Sequence, residues 1–231
     1  MKNEATNPPE CRRCGECCRK GGPALHAQDK ALFEGGDALD LSLVVTLRAG
    51  EPAFDQVLGR VIPLTSEILK LKGTGGSWTC SLYDASANAC GLYASRPAEC
   101  RALFCQDTSE LAAMYDKDRL ARRDLLPKGH GVLAVMDEHE ALVPPARIAE
   151  LAVLLRARGQ EALNAERELS RMALADRAFR KSLTERAGIA PEYHDFFFGR
   201  GIDALFAAVG LCLRADVRQG VRVQPDPLWR A

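Results

Sequence analysis

No uninterrupted apolar run reaches the roughly 18 residues that a membrane-spanning helix needs. The longest candidate, Gly201 to Leu213, is short and carries Asp203. Net charge is also missing: 31 Lys and Arg balance 31 Asp and Glu, so the chain as a whole attracts neither nucleic acid nor an anionic membrane. The opening segment MKNEATNPPE lacks the apolar core of a secretory signal. These absences set the expectation of a soluble cytoplasmic protein with no nucleic-acid partner and no membrane partner. They specify no oligomeric state.

Catalytic fingerprints are missing as well. There is no G-x-G-x-x-G for a dinucleotide or S-adenosylmethionine and no G-x-S-x-G for a hydrolase. KGTGGSW resembles a phosphate loop only in its glycines and reads as a tight turn. The four histidines, His26, His130, His139 and His194, are scattered. His26 is near enough to the first cysteines to be a rare ligand, but a polar role at a helix start is the commoner one. Asp137, Glu138 and Glu140 read as turn acids rather than an acid/base pair.

Cysteine, in contrast, is plentiful and clustered. Eight of the nine fall into two groups: Cys11, Cys14, Cys17 and Cys18 in CRRCGECC, then Cys80, Cys90, Cys100 and Cys105 in CSLYDASANACGLYASRPAECRALFC. In a Cys-x-x-Cys turn two sulfurs converge while backbone N–H groups can point at them, which suits one ion or cluster. In a chain large enough to build a core without staples, and in a reducing compartment, ligation is favoured over a disulfide framework. All eight are therefore candidate metal ligands. The ninth, Cys212, lies three residues beyond Val209 on an apolar helical stripe and reads as a small core hydrophobe.

Four thiolates around Zn²⁺ or a [4Fe–4S]²⁺ core leave a charge near −2, which is costly to desolvate unless cations face it. Arg12, Arg13, Arg19 and Lys20 stand against one Glu16 in the first group, and Arg96 and Arg101 flank the second. Arg101 is the candidate cofactor-facing cation, although such arginines serve equally well as an ordinary solvated face. Structural zinc usually takes two Cys-x-x-Cys knuckles, whereas the second arm here spaces its cysteines by nine, nine and four residues. C-x2-C-x2-C matches the first three ligands of a bacterial ferredoxin run. An iron–sulfur cluster, [4Fe–4S] in type, is the leading expectation, with zinc the alternative and a thiol redox relay the third.

The organisation expected is α+β. Residues 1–10 form a flexible leader, 11–143 a cysteine-cluster domain with short strands and hairpins, and 144–231 a helical module with a short tail. GGPALHAQDKALFEGG reads as a turn and short helix, and Leu41–Gly50, Gly59–Gly73 and SWTCSLYD read as strands. Pro97–Phe104 is a short helix carrying Cys100. HGVLAVMD and EALVPP read as a hairpin turning at Glu138-His139. After Pro144-Pro145 come three apolar stripes of helical period: Ile148, Leu151, Ala152, Leu155; then Leu169, Met172, Phe179, Leu183; then Phe198, Ile202, Leu205, Phe206, Val209. The tail VRQGVRVQPDPLWRA has room for a strand or hairpin.

CRRCGECC, the Cys80 and Cys90 pair, and LYASRPAECRALFC with Cys90, Tyr93, Arg96, Pro97, Cys100 and Arg101 in series resemble the YkgJ-type CxxCxxCC family of zinc- or iron-chelating proteins. The resemblance covers residues 11–105, with Cys105 at the edge of the motif. It implies zinc or iron chelation; together with the donor pattern, the expectation is a redox or cluster-dependent accessory role with a protein redox partner, the alternative being a zinc-binding scaffold protein. The family's likeness to flagellin lysine N-methylases implies an enzymatic alternative, methyl transfer, to which nothing after Leu126 adds.

Overall fold

The computed structural model describes residues 11, 13–35, 39–75, 77–217 and 220–229. In chain order these form α1 (Glu16–Lys20), β1 (Val44–Leu47), β2 (Pro52–Asp55), β3 (Arg60–Pro63), β4 (Ile68–Leu71), β5 (Tyr83–Asp84), β6 (Ala89–Cys90), α2 (Ala98–Ala102), α3 (Ser109–Met114) and α4 (Arg122–Leu125). Then follow α5 (Val132–Leu142), α6 (Pro145–Ala157), α7 (Ala162–Ala187), α8 (His194–Phe198), α9 (Ile202–Ala208), β7 (Leu211–Asp216) and β8 (Gly220–Pro225). The fold is α+β, its strands confined to two-stranded sheets.

Two compact units emerge, one of the residues up to Leu39 with Lys70–Leu120, the other of Asp40–Leu69 with the chain from Ala121 onward. A cut at 143/144 falls inside the second unit, which takes in residues 40–69 and 121–143 along with the helices. The leader 1–10 and Arg12 lie outside the described residues.

The first unit is built from short pieces. A 3₁₀ turn, Ala27–Phe33, stands where the short helix was expected, and α2 falls inside the expected helix. The strand expected at SWTCSLYD is reduced to Tyr83–Asp84, because Cys80 makes only an isolated bridge to Gly73 and the chain then turns. The Gly73 loop is tight: Ser77 N–H donates to Thr74 O at 3.0 Å, and a Cβ on Gly73 would sit 2.1 Å from Ser77 O.

The second unit has the apolar core. Ile148, Leu151, Ala152 and Leu155 of α6 pack with Leu169, Met172 and Ala173 of α7, Ile202, Leu205 and Phe206 of α9, and Val221 and Val223 of β8. Pro145 occupies the first turn of α6, where its missing N–H costs nothing.

Three expectations need correction here. The hairpin at 130–143 is the helix α5, whose buried Val132, Met136 and His139 recur at helical spacing; β-branched content alone had suggested strands. Asp137, Glu138 and Glu140 therefore lie on a helix, where Asp137 pairs with Arg123 and Glu140 with Arg122. The third apolar stripe is split into α8 and α9 because Gly199 adopts φ +75, and a Cβ there would come 2.9 Å from Thr46 O. Cys212 is partly buried on β7, paired with Gln224 of β8, so the helical stripe does not extend to it.

Candidate metal centre

Glycine begins the site. Gly15 takes φ +75 and precedes α1, and a Cβ on it would come within 2.0 Å of Tyr83 Oη. Only a residue without a side chain lets the first arm lie this close to the second. Arg19 then reaches across, donating to Tyr83 Oη at 2.8 Å and to Cys14 O at 2.7 Å, while Tyr83 donates to Asn88. The backbone completes the seam, since Cys80 N–H donates to Cys18 O at 2.7 Å and Leu71 N–H to Pro23 O at 3.1 Å.

A buried carboxylate, Asp29, and a partly buried one, Glu99, fix the helix that carries Cys100. Asp29, 1% exposed, accepts from His26 N–H at 2.9 Å and from Ala98 N–H at 2.8 Å, tying the 3₁₀ turn to the start of α2. Glu99 accepts from Ala24 N–H at 2.7 Å. His26 stands at the start of the 3₁₀ turn, as expected of a polar group there. Its Nδ1 donates to Lys117 O at 2.7 Å and its Nε2 lies 3.4 Å from Glu99, so neither nitrogen faces the cysteines.

The thiols of the two arms interact electrostatically, with Cys17 common to both groups. Cys18 lies within electrostatic range of Cys17, Cys80 and Cys90, and Cys100 within range of Cys80, Cys18, Cys90 and Cys17. Cys105 instead neighbours Cys17, Cys14 and Cys11. Cys17 and Cys18 are inequivalent in their neighbours, yet their thiols remain within hydrogen-bonding reach. Cys80 is buried, while Cys14 and Cys105 are exposed.

Burial, then the Cys17 thiol, pushes Cys18 up to about 12; burial likewise raises Cys80 and, strongly, Cys100. These sulfurs are thiols at neutral pH, so loading a metal must release protons, and affinity rises with pH. Backbone N–H groups already point at sulfur: Arg13 N–H donates to Cys11 Sγ at 3.4 Å, and Leu82 N–H to Cys80. Among the described residues no three Cys, His, Asp or Glu side chains converge closely enough to grip an ion as they stand.

The cations are placed differently from the simple expectation. Arg101 donates to Arg96 O and, at 3.3 Å, to Gln28, which commits it to the turn before α2. Arg13 and Arg96 sandwich Tyr93, their guanidinium carbons 4.0 and 4.1 Å from the ring centroid, so a cation from each arm shares one aromatic face pair. Lys70 interacts electrostatically with Cys100 and Cys80: desolvation lowers its pKa while Glu99, Cys100 and Cys80 oppose that shift. Lys70 was missed in the sequence because it sits in ILKL; its alternation with buried Leu69 and Leu71 is the signal that sets it on the opposite side.

A soft, thiol-only donor set, held by polar ties in a small α+β unit, defines a chelating domain. Residues 10–117 match the family model CxxCxxCC, described as a "putative zinc- or iron-chelating domain". No curated protein and no solved structure matches the chain. No helix among the described residues is long and apolar enough to cross a membrane.

Proposed function

We propose that the protein binds an iron–sulfur cluster, [4Fe–4S] in type, and serves a redox or cluster-dependent accessory role in the cytoplasm, meeting a protein redox partner there. The observation that carries this reading is the donor set: cysteines spaced C-x2-C-x2-C, with a backbone N–H directed at Cys11 Sγ and no histidine among them. N–H donors and nearby cations offset the charge that sulfide-bridged iron and four thiolates concentrate in one place. When bound, the cluster would supply one-electron chemistry. The residues of this chain hold it, direct N–H dipoles at its sulfurs and, through the buried face at Cys80, exclude water from one side.

Zinc is the second reading, favoured by the family description, which names zinc and iron alike. Anaerobic purification after expression with ample iron and an intact cluster-assembly system separates the two. The expected product is brown and holds iron with acid-labile sulfide; a colourless protein with stoichiometric zinc overturns the cluster reading.

A further inference from the structure

We propose that the outer face of α7 carries a binding site for a phosphate group, built from Asn164, Arg167, Ser170 and Arg171. The site lies wholly within the second unit and does not depend on metal binding by the first.

Helical geometry gathers these residues. Asn164, Arg167, Arg171 and Leu174 follow one another at spacings of three and four, so they form one stripe with Ser170 beside it. Ala165, Leu169, Met172 and Ala173 turn the opposite way, into the core. Together with Glu168 the outer residues line a groove of about 610 Å³, a size in the range of small-molecule sites.

Charges on this face do not cancel. Glu168 is taken up by Arg147 of α6, which donates to its two oxygens at 2.9 and 3.1 Å. On the other flank Glu166 accepts from Arg222 of β8 at 2.8 and 3.3 Å. The acids of this stretch of α7 are thus neutralised by arginines from neighbouring elements. Arg167 and Arg171 are exposed and form no ion pair with a carboxylate among the described residues, although Glu168 feels the Arg171 charge. Farther along the same helix, Arg177 and Arg180 do pair, with Asp203 and Asp176.

Ser170 is the second, independent observation. A serine inside a helix can bond its hydroxyl to the carbonyl of the preceding turn, which satisfies it without outside help. Ser170 is only 5% exposed, yet its Oγ is buried with no hydrogen-bond partner among the described residues, on the wall of the same groove. A buried hydroxyl left unpaired is costly, so a ligand that bonds it gains more than water would.

The donor set selects the ligand. Two guanidinium forks, a hydroxyl and a carboxamide N–H₂ all donate, and a tetrahedral phosphate presents enough oxygens in different directions to accept from all of them. A carboxylate, planar and with two oxygens, satisfies one fork. Leu174, 44% exposed, offers an apolar contact beside the donors for the organic part of a phosphate monoester.

Calorimetric titration of the full-length protein in phosphate-free buffer at low ionic strength tests the site, with inorganic phosphate, phenyl phosphate and acetate as probes. Both phosphates should saturate at one equivalent, and acetate should not. Arg167→Gln combined with Arg171→Gln should weaken phosphate binding by about tenfold or more, and Ser170→Ala by about fivefold. Because Ser170→Ala removes an unpaired hydroxyl, its unfolding midpoint without ligand should stay the same or rise, which a purely structural role does not allow. Arg177→Gln, outside the groove, should leave binding unchanged. Tighter binding of phenyl phosphate assigns the groove to an organic monoester, and equal binding assigns it to free phosphate. No saturable binding of either phosphate overturns the proposal. So does acetate binding as tightly, binding that survives the double arginine variant, or an equal loss from Arg177→Gln.

Discussion

The two units of this chain solve the folding problem by different means. In the second, stability comes from area: Leu169, Ala173, Phe206, Leu205 and Ile202 are all essentially without exposure, and the core they belong to draws on α6, α7, α9 and the β7–β8 hairpin. In the first, few large apolar side chains are buried, Leu25, Leu39, Leu71 and Leu120 among them. Its order is carried by directed contacts instead: Asp29 and Glu99 on backbone N–H groups, Arg19 on Tyr83, and the Arg13–Tyr93–Arg96 stack. Burial is tolerant of small shifts, whereas directed polar contacts specify position. A unit that must place sulfurs has reason to use the second kind, and a unit this sparse in core has reason to draw on metal for the rest.

If that contrast holds, stripping the metal should have the largest effect and a local one. Structural thiolate sites contribute about 10–16 kcal/mol of apparent binding energy, which becomes folding energy when two arms must be held together. Chelation should abolish amide-exchange protection in residues 13–35 and 70–120 while leaving α6 and α7 protected. Loss of protection in both units together would break the comparison. The reciprocal experiment is Phe206→Ala, which should lower the unfolding free energy of the second unit by about 3–5 kcal/mol without changing metal content. Denaturant titration with metal analysis reads both quantities.

Within the first unit, Asp29→Ala removes the acceptor of two backbone N–H groups and should cost about 2–4 kcal/mol. Because Asp29 holds the start of α2, metal affinity should drop with stability. Competition against a chromophoric chelator measures this, and an unchanged affinity would detach the carboxylate from the site.

The smallest expected effect is a pH dependence confined to the second unit. Arg48 Nη1 faces His139 Nδ1 at 3.4 Å, so Nδ1 accepts and Nε2–H donates to Asp176 at 2.9 Å. Burial holds the His139 pKa below its ordinary 6.5, with Arg48 and Arg180 adding to the depression and Asp176 opposing it. The unfolded chain therefore takes up the proton first. Stability is fully present above about pH 6.5 and declines as pH falls from there toward the folded pKa. His194, also held low, contributes in the same direction, and Asp176 extends the loss below its ordinary 3.8. His139→Gln keeps a donor for Asp176 and should flatten the slope between about pH 6.5 and 5; an unchanged slope would assign it to His194.

The legible parts of the sequence were those in which chemistry or period is local. Cys-x-x-Cys spacing announced a thiol site because its meaning lies within one turn, and Pro145 followed by Ile148, Leu151, Ala152 and Leu155 announced α6 because helical period repeats along the chain. The stretch 130–143 was misread because VLAV satisfies a strand by composition, while its helical character depends on Met136 and His139 being buried against the rest of the unit. The grouping of the thiols was hidden for a similar reason. Cys18 follows Cys17 in sequence, but its carbonyl is tied to the Cys80 N–H across the arms.

By itself, then, the sequence determined the candidate donor atoms, the α+β class and the helical character of most of the second half, all of which rest on residue type and short-range period. Which sulfurs are neighbours, which cation lies beside them and which carboxylates hold their frame were decided by the tertiary structure. Those relations join Cys18 to Cys80, Lys70 to Cys100 and Asp29 to Ala98 across long stretches of chain. Spacing along a chain fixes distance only while the backbone repeats regularly, and between these residues it turns too often for that.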